Sequence, residues 1–295
     1  MPHFMQEVFM ELSVNLSHFK RTREGEEKRS FARALQICLD AGFRYFDYTP
    51  GYREEGWEKT AAGELALLQE NGAAVTQSHA PFNRYGTHGS WEEFLPLFHR
   101  SFEAAAAVQS QYVVVHADEY RVEDRYDPEE IAAFAYEYLA PEVEFAKKHG
   151  MKVAIENLFE EGAGKAVDGK SRYTSRVEEL IAIIEKFRDP DVCCCWDFGH
   201  AACAYGFDKM LDALKAAGKY VECTHVHDNY YGKDLHLLPF LGSIRWEDHM
   251  RYFGEIGYAG KLSYELGYGG IPDRLLPGFA EDAYAVGQYL ISLAK

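Results

Sequence analysis

Basic residues are scarce in this 295-residue chain, with 31 Lys and Arg against 47 Asp and Glu and a formal net charge of −16. So acidic a surface repels a phosphate backbone, whose binding rests on clustered Lys and Arg. Nucleic acid is therefore not the expected partner, although a local basic loop would escape this sum. Cysteine is sparse and unevenly placed. Three of the six are consecutive, Cys193, Cys194 and Cys195, and Cys38, Cys203 and Cys223 are scattered. That is not a disulfide framework, so a reduced, intracellular chain is expected, with the adjacent thiols acting as small buried hydrophobes. No apolar run approaches membrane-spanning length. The short N-terminal apolar stretches, soon followed by Lys20-Arg-Thr-Arg-Glu-Gly-Glu-Glu-Lys-Arg29, do not read as a signal peptide, and a cytoplasmic location is expected. Walker and dinucleotide fingerprints are missing. So are linkers and low-complexity stretches, which points to one domain over residues 1–295.

What the chain does have is alternation. Hydrophobic residues make up 47% of it, with 20 Tyr and 19 Phe, enough for a sizeable core. Short β-rich runs at 9–16, 44–48, 73–79, 112–116, 152–157, 192–197, 221–227 and 261–265 alternate with amphipathic helical patterns. The helices are expected at 29–42, 58–71, 90–108, 128–149, 175–187, 207–218, 245–256 and 277–294. Asp127-Pro-Glu-Glu opens one helix as N-cap, first-turn proline and acids near the positive dipole end, and Thr174 is placed to cap the next. Gly72, Gly150, Gly218 and Gly257 stand where left-handed C-caps belong. Eight strand–helix units with short returns predict an α/β fold, a single (β/α)8 TIM barrel.

Metal-ligand residue types cluster at the expected strand ends. His79 closes Ala-Val-Thr-Gln-Ser-His, His116 closes Tyr-Val-Val-Val-His, and Glu156 closes Val-Ala-Ile-Glu. Asp197 and His200 form Asp-Phe-Gly-His, His225 ends Val-Glu-Cys-Thr-His, Asp234 and His236 form Asp-Leu-His, and Glu265 ends Leu-Ser-Tyr-Glu. Five imidazoles and four carboxylates would converge at one end of a parallel barrel, and they suit zinc, manganese and related divalent ions. An isolated inward glutamate carries a heavy desolvation cost, so Glu156 and Glu265 require a cation or a hydrogen-bond partner. His225 and His227 face the same side of one strand; His225 is taken as the ligand and His227 as a substrate contact or a support behind the ligands. A lone Asp-x-His is usually solvated, and Asp234 and His236 gain interest from their company. His3, His18, His88, His99, His149 and His249 read as surface or helix residues. Tyr52 and Trp57, in the loop Thr49-Pro-Gly-Tyr-Arg-Glu-Glu-Gly-Trp57, are candidates to stack on a sugar ring. The glycine- and lysine-containing loop from Phe159 to Arg172 would close over an anionic substrate or simply be a surface loop.

In this order, the fragments His79-Ala-Pro-Phe, Ile155-Glu-Asn, Asp197-Phe-Gly-His, His225-Val-His-Asp-Asn, Asp234-Leu-His and Ser263-Tyr-Glu resemble the xylose-isomerase-like superfamily. It unites sugar (or sugar phosphate) isomerases and epimerases with endonuclease IV. Through the ketose epimerases, the resemblance implies one divalent ion (Mn, Zn, Co or Mg) on Glu156, Asp197, His225 and Glu265. Glu156 and Glu265 would then be the catalytic pair that moves a carbon-bound proton through an enediolate, with His200, His227, Tyr52 and Trp57 at the substrate. Through endonuclease IV, it implies three zinc ions on all nine residues, including His79, His116, His200, Asp234 and His236, and hydrolysis of a phosphoester. A lyase acting on a modified sugar is a third outcome. The expected partner is a small-molecule carbohydrate, with homo-oligomerisation through helices left open. One departure is Leu-Leu-Pro-Phe240-Leu-Gly after His236, where the pattern often has Gly-x-Gly; a phenylalanine there argues against phosphate contact by this loop and would narrow the mouth.

Overall fold

Strands buried on both faces need apolar side chains throughout, and the β-rich runs supply them. Val192–Asp197 is buried at all six positions, and Val113, Val114 and Val115 are fully buried. The computed structural model describes residues 10–22, 27–83, 89–117, 127–159, 172–230 and 232–295. Its strands are β1 (Glu11–Asn15), β2 (Tyr45–Asp47), β3 (Ala74–His79), β4 (Tyr112–Val115), β5 (Lys152–Glu156), β6 (Val192–Asp197), β7 (Val221–His225) and β8 (Lys261–Tyr264). The helices are α1 (Leu16–Lys20), α2 (Phe31–Ala41), α3 (Trp57–Glu70), α4 (Trp91–Ala107), α5 (Pro128–Lys148), α6 (Val177–Phe187), α7 (Phe198–Tyr205), α8 (Met210–Ala217), α9 (Trp246–Ile256) and α10 (Leu276–Leu293). All eight expected strands are present. Among the described residues no helix is long and apolar enough to cross a membrane.

The strands run parallel in the order β7-β6-β5-β4-β3-β2-β1-β8. The ring closes just beyond β7, where Val226 bridges Tyr264: the Val226 amide donates to Ser263 O at 2.8 Å and the Glu265 amide to Val226 O at 3.3 Å. This is the expected (β/α)8 barrel. Between sheet and helices lies the main apolar core, which includes Leu12, Phe46, Phe98, Leu180, Trp246 and Leu290. A second, small cluster of Val114, Ala154, Cys193, Cys195 and Cys223 sits on alternate positions of β4 to β7, and all six cysteines are free and buried. Residues two apart share a face, so these thiols lie on the same strand faces as Asp197 and His225, toward the strands' starts.

Local chemistry sets the element ends. Asp127 accepts from the Glu129 and Glu130 amides at 3.2 Å, with Pro128 first in α5, and Ser90 and Glu93 form a capping box on α4. Gly257 is a left-handed C-cap, and Gly72 and Gly150 have positive φ. Gly218 departs from expectation. Its φ is −45° and it begins a short 3-10 turn; a Cβ there would lie 2.2 Å from Tyr252 Oη, so close approach rather than handedness calls for glycine. Thr174 does not cap α6 either. The N-cap is Arg176 without a side-chain bond, and the Thr174 hydroxyl donates to Glu156 O at 2.9 Å. Helices α1 and α7 were not anticipated, and the helix expected at 207–218 is regular α-helix only from Met210. Residues 118–126, and 160–171, which are most of the expected Phe159–Arg172 loop, lie outside the described residues, as do His3 and His88.

Candidate metal centre

The closed ring brings the strand ends together. Register sets Asp197 of β6 beside His225 of β7. Asn157 ties β5 to β6, its Nδ2 donating to Asp197 O at 2.9 Å while its Oδ1 accepts from the Asp197 amide at 2.7 Å. Asp197 also caps α7, accepting from the His200 amide at 2.6 Å, so His200 follows directly from the strand-end carboxylate.

Glu156 lies at the middle of the cluster and is 1% exposed. Its Oε1 is 2.9 Å from His225 Nδ1 and 3.3 Å from His200 Nδ1, and its Oε2 is 3.1 Å from His79 Nε2 and 3.2 Å from His116 Nε2. His225 Nδ1 also approaches Asp197 Oδ2 at 3.7 Å and Glu265 Oε2 at 3.6 Å. Farther out, Asp234 Oδ2 is 3.1 Å from His236 Nε2 and 3.9 Å from His200 Nε2. Three groups have ligand atoms mutually within 4.8 Å: His79, His116 and Glu156; Glu156, Asp197, His225 and Glu265; and His227, His236 and Glu265. All nine residues singled out from the sequence meet here. The structure adds that Glu156 and Glu265 each belong to two of these groups.

The donor chemistry suits divalent ions. Imidazole ligands in metal sites present one nitrogen to the ion and give the other N–H to an oxygen. His79 Nδ1 faces Ala80 O at 2.7 Å, His200 Nδ1 faces Asn157 O at 2.9 Å, and His236 Nδ1 faces Glu265 O at 2.8 Å. His225 is turned the other way, with Nδ1 to the carboxylates and Nε2 3.3 Å from Asp47 Oδ2. Asp234 Oδ1 is buried with no hydrogen-bond partner, an acceptor left for an ion to fill.

Protons stand in for the cation charge. Burial opposes charge on His200, but the carboxylates of Asp197, Glu156 and Asp234 outweigh it and lift its pKa to about 10. Burial is likewise overcome at His236, lifted to about 9 by Asp234 and Glu265, and at His225, raised well above the usual imidazole value by Glu156 and Glu265. Glu265 is held down to about 2 against its own burial, chiefly by His225 and His236. Glu156 and Asp234 are lowered in the same way.

His227 supports Asp197, its Nε2 lying 3.1 Å from Oδ1. It fits because residue 199 is glycine: a Cβ there would fall 1.8 Å from His227 Cε1. Trp57 is buried in the core and Tyr52 is packed against it. Phe240 is exposed, with its ring 5.6 Å from that of Tyr289 on α10. The sequence reading passed over three neighbours. Asp47, 2% exposed, ends β2 and accepts from Asn15 Nδ2 at 3.3 Å and Gln77 Nε2 at 3.4 Å. His18, on α1 and buried, has Nε2 3.8 Å from Glu265 Oε1. Arg172, 8% exposed, has Nη2 3.2 Å from His116 Nδ1. Asp47 was findable as another strand-end acid, whereas His18 and Arg172 carry no local signal.

A cleft of about 680 Å³ also opens where β4 and β7 begin, lined in part by Tyr112, Lys215, Glu222 and Tyr258. Its carboxylate is already paired: Tyr112 Oη donates to Glu222 at 3.1 Å, and Lys152 Nζ lies 2.9 Å from both Glu222 oxygens. The strand-end cluster is therefore the candidate site.

Known proteins are similar to this chain in sequence or in fold. An uncharacterised Sinorhizobium fredii protein, y4fM, is 25% identical over 285 residues, covering 87% of each chain. The crystal structure of a D-psicose 3-epimerase, determined in the presence of D-fructose, superposes with a TM-score of 0.73 at 14% identity, covering 96% of this chain and 99% of that one. The IolI protein, solved with a zinc atom, superposes with a TM-score of 0.65 at 18% identity, covering 97% and 98%. At these identities the structural likeness is one of fold. The family model described as a xylose isomerase-like TIM barrel matches residues 14–284, and this chain belongs to that family.

Proposed function

We propose that this chain is a divalent-metal-dependent sugar isomerase or epimerase that moves a proton at the carbon beside a carbonyl. The observation that carries the reading is the approach of two carboxylates from different strands, Glu156 and Glu265, to one imidazole nitrogen, His225 Nδ1, at 2.9 and 3.6 Å. Glu156, Asp197, His225 and Glu265 would hold the ion. When bound, it polarises a substrate carbonyl and acidifies the neighbouring C–H. Glu265, with its side chain 18% exposed, is held ionised and so has the charge state of a base. Glu156 lies deeper, flanked by imidazoles, and serves as the partner that returns the proton. His200 and His227 border the site as groups able to orient substrate oxygens. The likeness of fold to an epimerase solved with a sugar supports a carbohydrate substrate.

The test is isotope exchange. Ketoses incubated in heavy water with manganese- or cobalt-loaded protein should gain deuterium at the carbon next to the carbonyl, and Glu265→Gln should abolish this. Exchange that persists in the variant removes Glu265 as the base. A second reading, a multinuclear zinc phosphoesterase, is favoured by the outer Asp234, His236 and His200 cluster. It predicts that Asp234→Ala loses both an ion and phosphoester hydrolysis, and it fails if fully loaded protein hydrolyses no phosphoester.

A further inference from the structure

The outer nitrogens of the imidazoles divide the cluster in two. His79, His200 and His236 each have Nδ1 against a backbone carbonyl, and His225 has Nε2 beside the Asp47 carboxylate. An oxygen acceptor there keeps a proton on the outer nitrogen, which leaves the inner one able to offer its lone pair to an ion. At His116 the polarity is reversed. Its Nδ1 lies 3.2 Å from Arg172 Nη2, and a guanidinium only donates and does not give up its proton in proteins. His116 Nδ1 is therefore the acceptor, and the ring proton sits on Nε2, which lies 3.2 Å from Glu156 Oε2. The nitrogen that would have to bind an ion is thus occupied by a hydrogen bond to Glu156. Binding an ion through it would require either an imidazolate or the departure of Arg172.

The surroundings hold this arrangement. Arg172 is 8% exposed and His116 is 7% exposed. The Phe82 ring stacks on His116 at 4.5 Å and 15°, and Tyr138 Oη donates to the His116 carbonyl at 2.7 Å. The fixed positive charge of Arg172 also repels a dication from the His79, His116 and Glu156 position.

We infer that Arg172 keeps a metal ion out of the position formed by His79, His116 and Glu156, so that the centre takes at most two ions rather than three. The inference rests on the metal reading of the site and narrows it. The two remaining positions are Glu156, Asp197, His225 and Glu265, and His227, His236 and Glu265 with Asp234 beside them. His116 becomes a hydrogen-bond donor that positions Glu156, and the guanidinium supplies positive charge where a third ion would have stood.

Zinc per chain, measured by elemental analysis on stripped and reloaded protein, tests this without reference to activity. Wild-type protein should hold no more than two ions, and Arg172→Met should hold one more. His116→Ala should leave the wild-type count unchanged but remove the additional ion from Arg172→Met. Three ions in the wild type overturn the inference and leave the metal reading standing. So does loss of an ion in His116→Ala alone, or an unchanged count in Arg172→Met that retains the wild-type circular dichroism. Because the wild-type and His116→Ala counts decide the matter by themselves, poor folding of Arg172→Met does not shield the inference. A wild-type protein that takes no zinc, manganese or cobalt overturns the metal reading and the inference together.

Discussion

His225 sits with one nitrogen toward three carboxylates and the other toward Asp47, and that orientation decides which atom meets a cation. Replacing Asp47 with asparagine removes the negative charge 3.3 Å from Nε2 that favours a proton on that nitrogen. Asp47→Asn should weaken divalent-metal affinity by about 10–100-fold, the range typical of groups that orient a histidine ligand. In a His225→Ala background the same change should have little further effect. Competition titration with a chromophoric chelator measures both, and an additive loss in the double variant would show that Asp47 acts elsewhere. The nine ligand-type residues were legible because each falls at or just beyond a strand-like run, and strand ends converge in a barrel. His18 and Arg172 were not. Their roles arise from loops folding across the mouth, His18 on a five-residue helix and Arg172 from a segment whose sequence marks only a loop.

At the scale of elements, α7 begins directly after the residue that ends β6, so the Asp197 carboxylate caps a helix and joins the cluster at once. Gly199 lies in the first turn of that helix, with the His227 ring against its missing side chain. Gly199→Ala should force the helix or the ring to shift and cost about 1–3 kcal/mol, the usual penalty for overpacking. Thermal unfolding should show a lowered midpoint, and an unchanged midpoint would mean that the ring moves freely. Longer helices announced themselves through their punctuation, Asp127 with Pro128 and the closing Gly257 among them. Helices of five and eight residues are too short for helical periodicity to stand out, which is why α1 and α7 were not anticipated. Cap assignments failed where a tertiary contact took the residue, as when Glu156 O claimed the Thr174 hydroxyl.

For the whole molecule, the cluster ties cation binding to protons. In the metal-free protein His200 and His236, with pKa values near 10 and 9, are protonated at neutral pH. Ligation needs them neutral, so loading at pH 7.5 should release protons, and affinity should strengthen as pH rises toward 9 to 10. Calorimetric titrations in buffers of different ionisation enthalpy give the proton count; a count of zero would contradict this charge pattern. The sign for the metal-free fold is opposite. Imidazoles raised above their unfolded value contribute stability in full below about 6.5, and that contribution is lost as pH climbs through 9 to 10. The barrel itself was legible from eight alternations. How tightly each seam is sewn was not, because pairing between β7 and β8 depends on geometry around the whole ring.

That seam has a mechanical consequence. β1 and β8 are matched at four positions, so the strands nearest the chain ends are firmly laced. The join between β7 and β8 has one backbone bridge, Val226–Tyr264, backed by the Thr224 hydroxyl, which donates to Lys261 O at 3.0 Å and accepts from the Ser263 amide at 3.3 Å. His225 and Glu265 stand on either side of it, and an ion gripped by both would act as a rivet across the weakest joint. Amide hydrogen exchange at Val226 and Glu265 should then slow on metal loading, while exchange between β1 and β2 stays as it was.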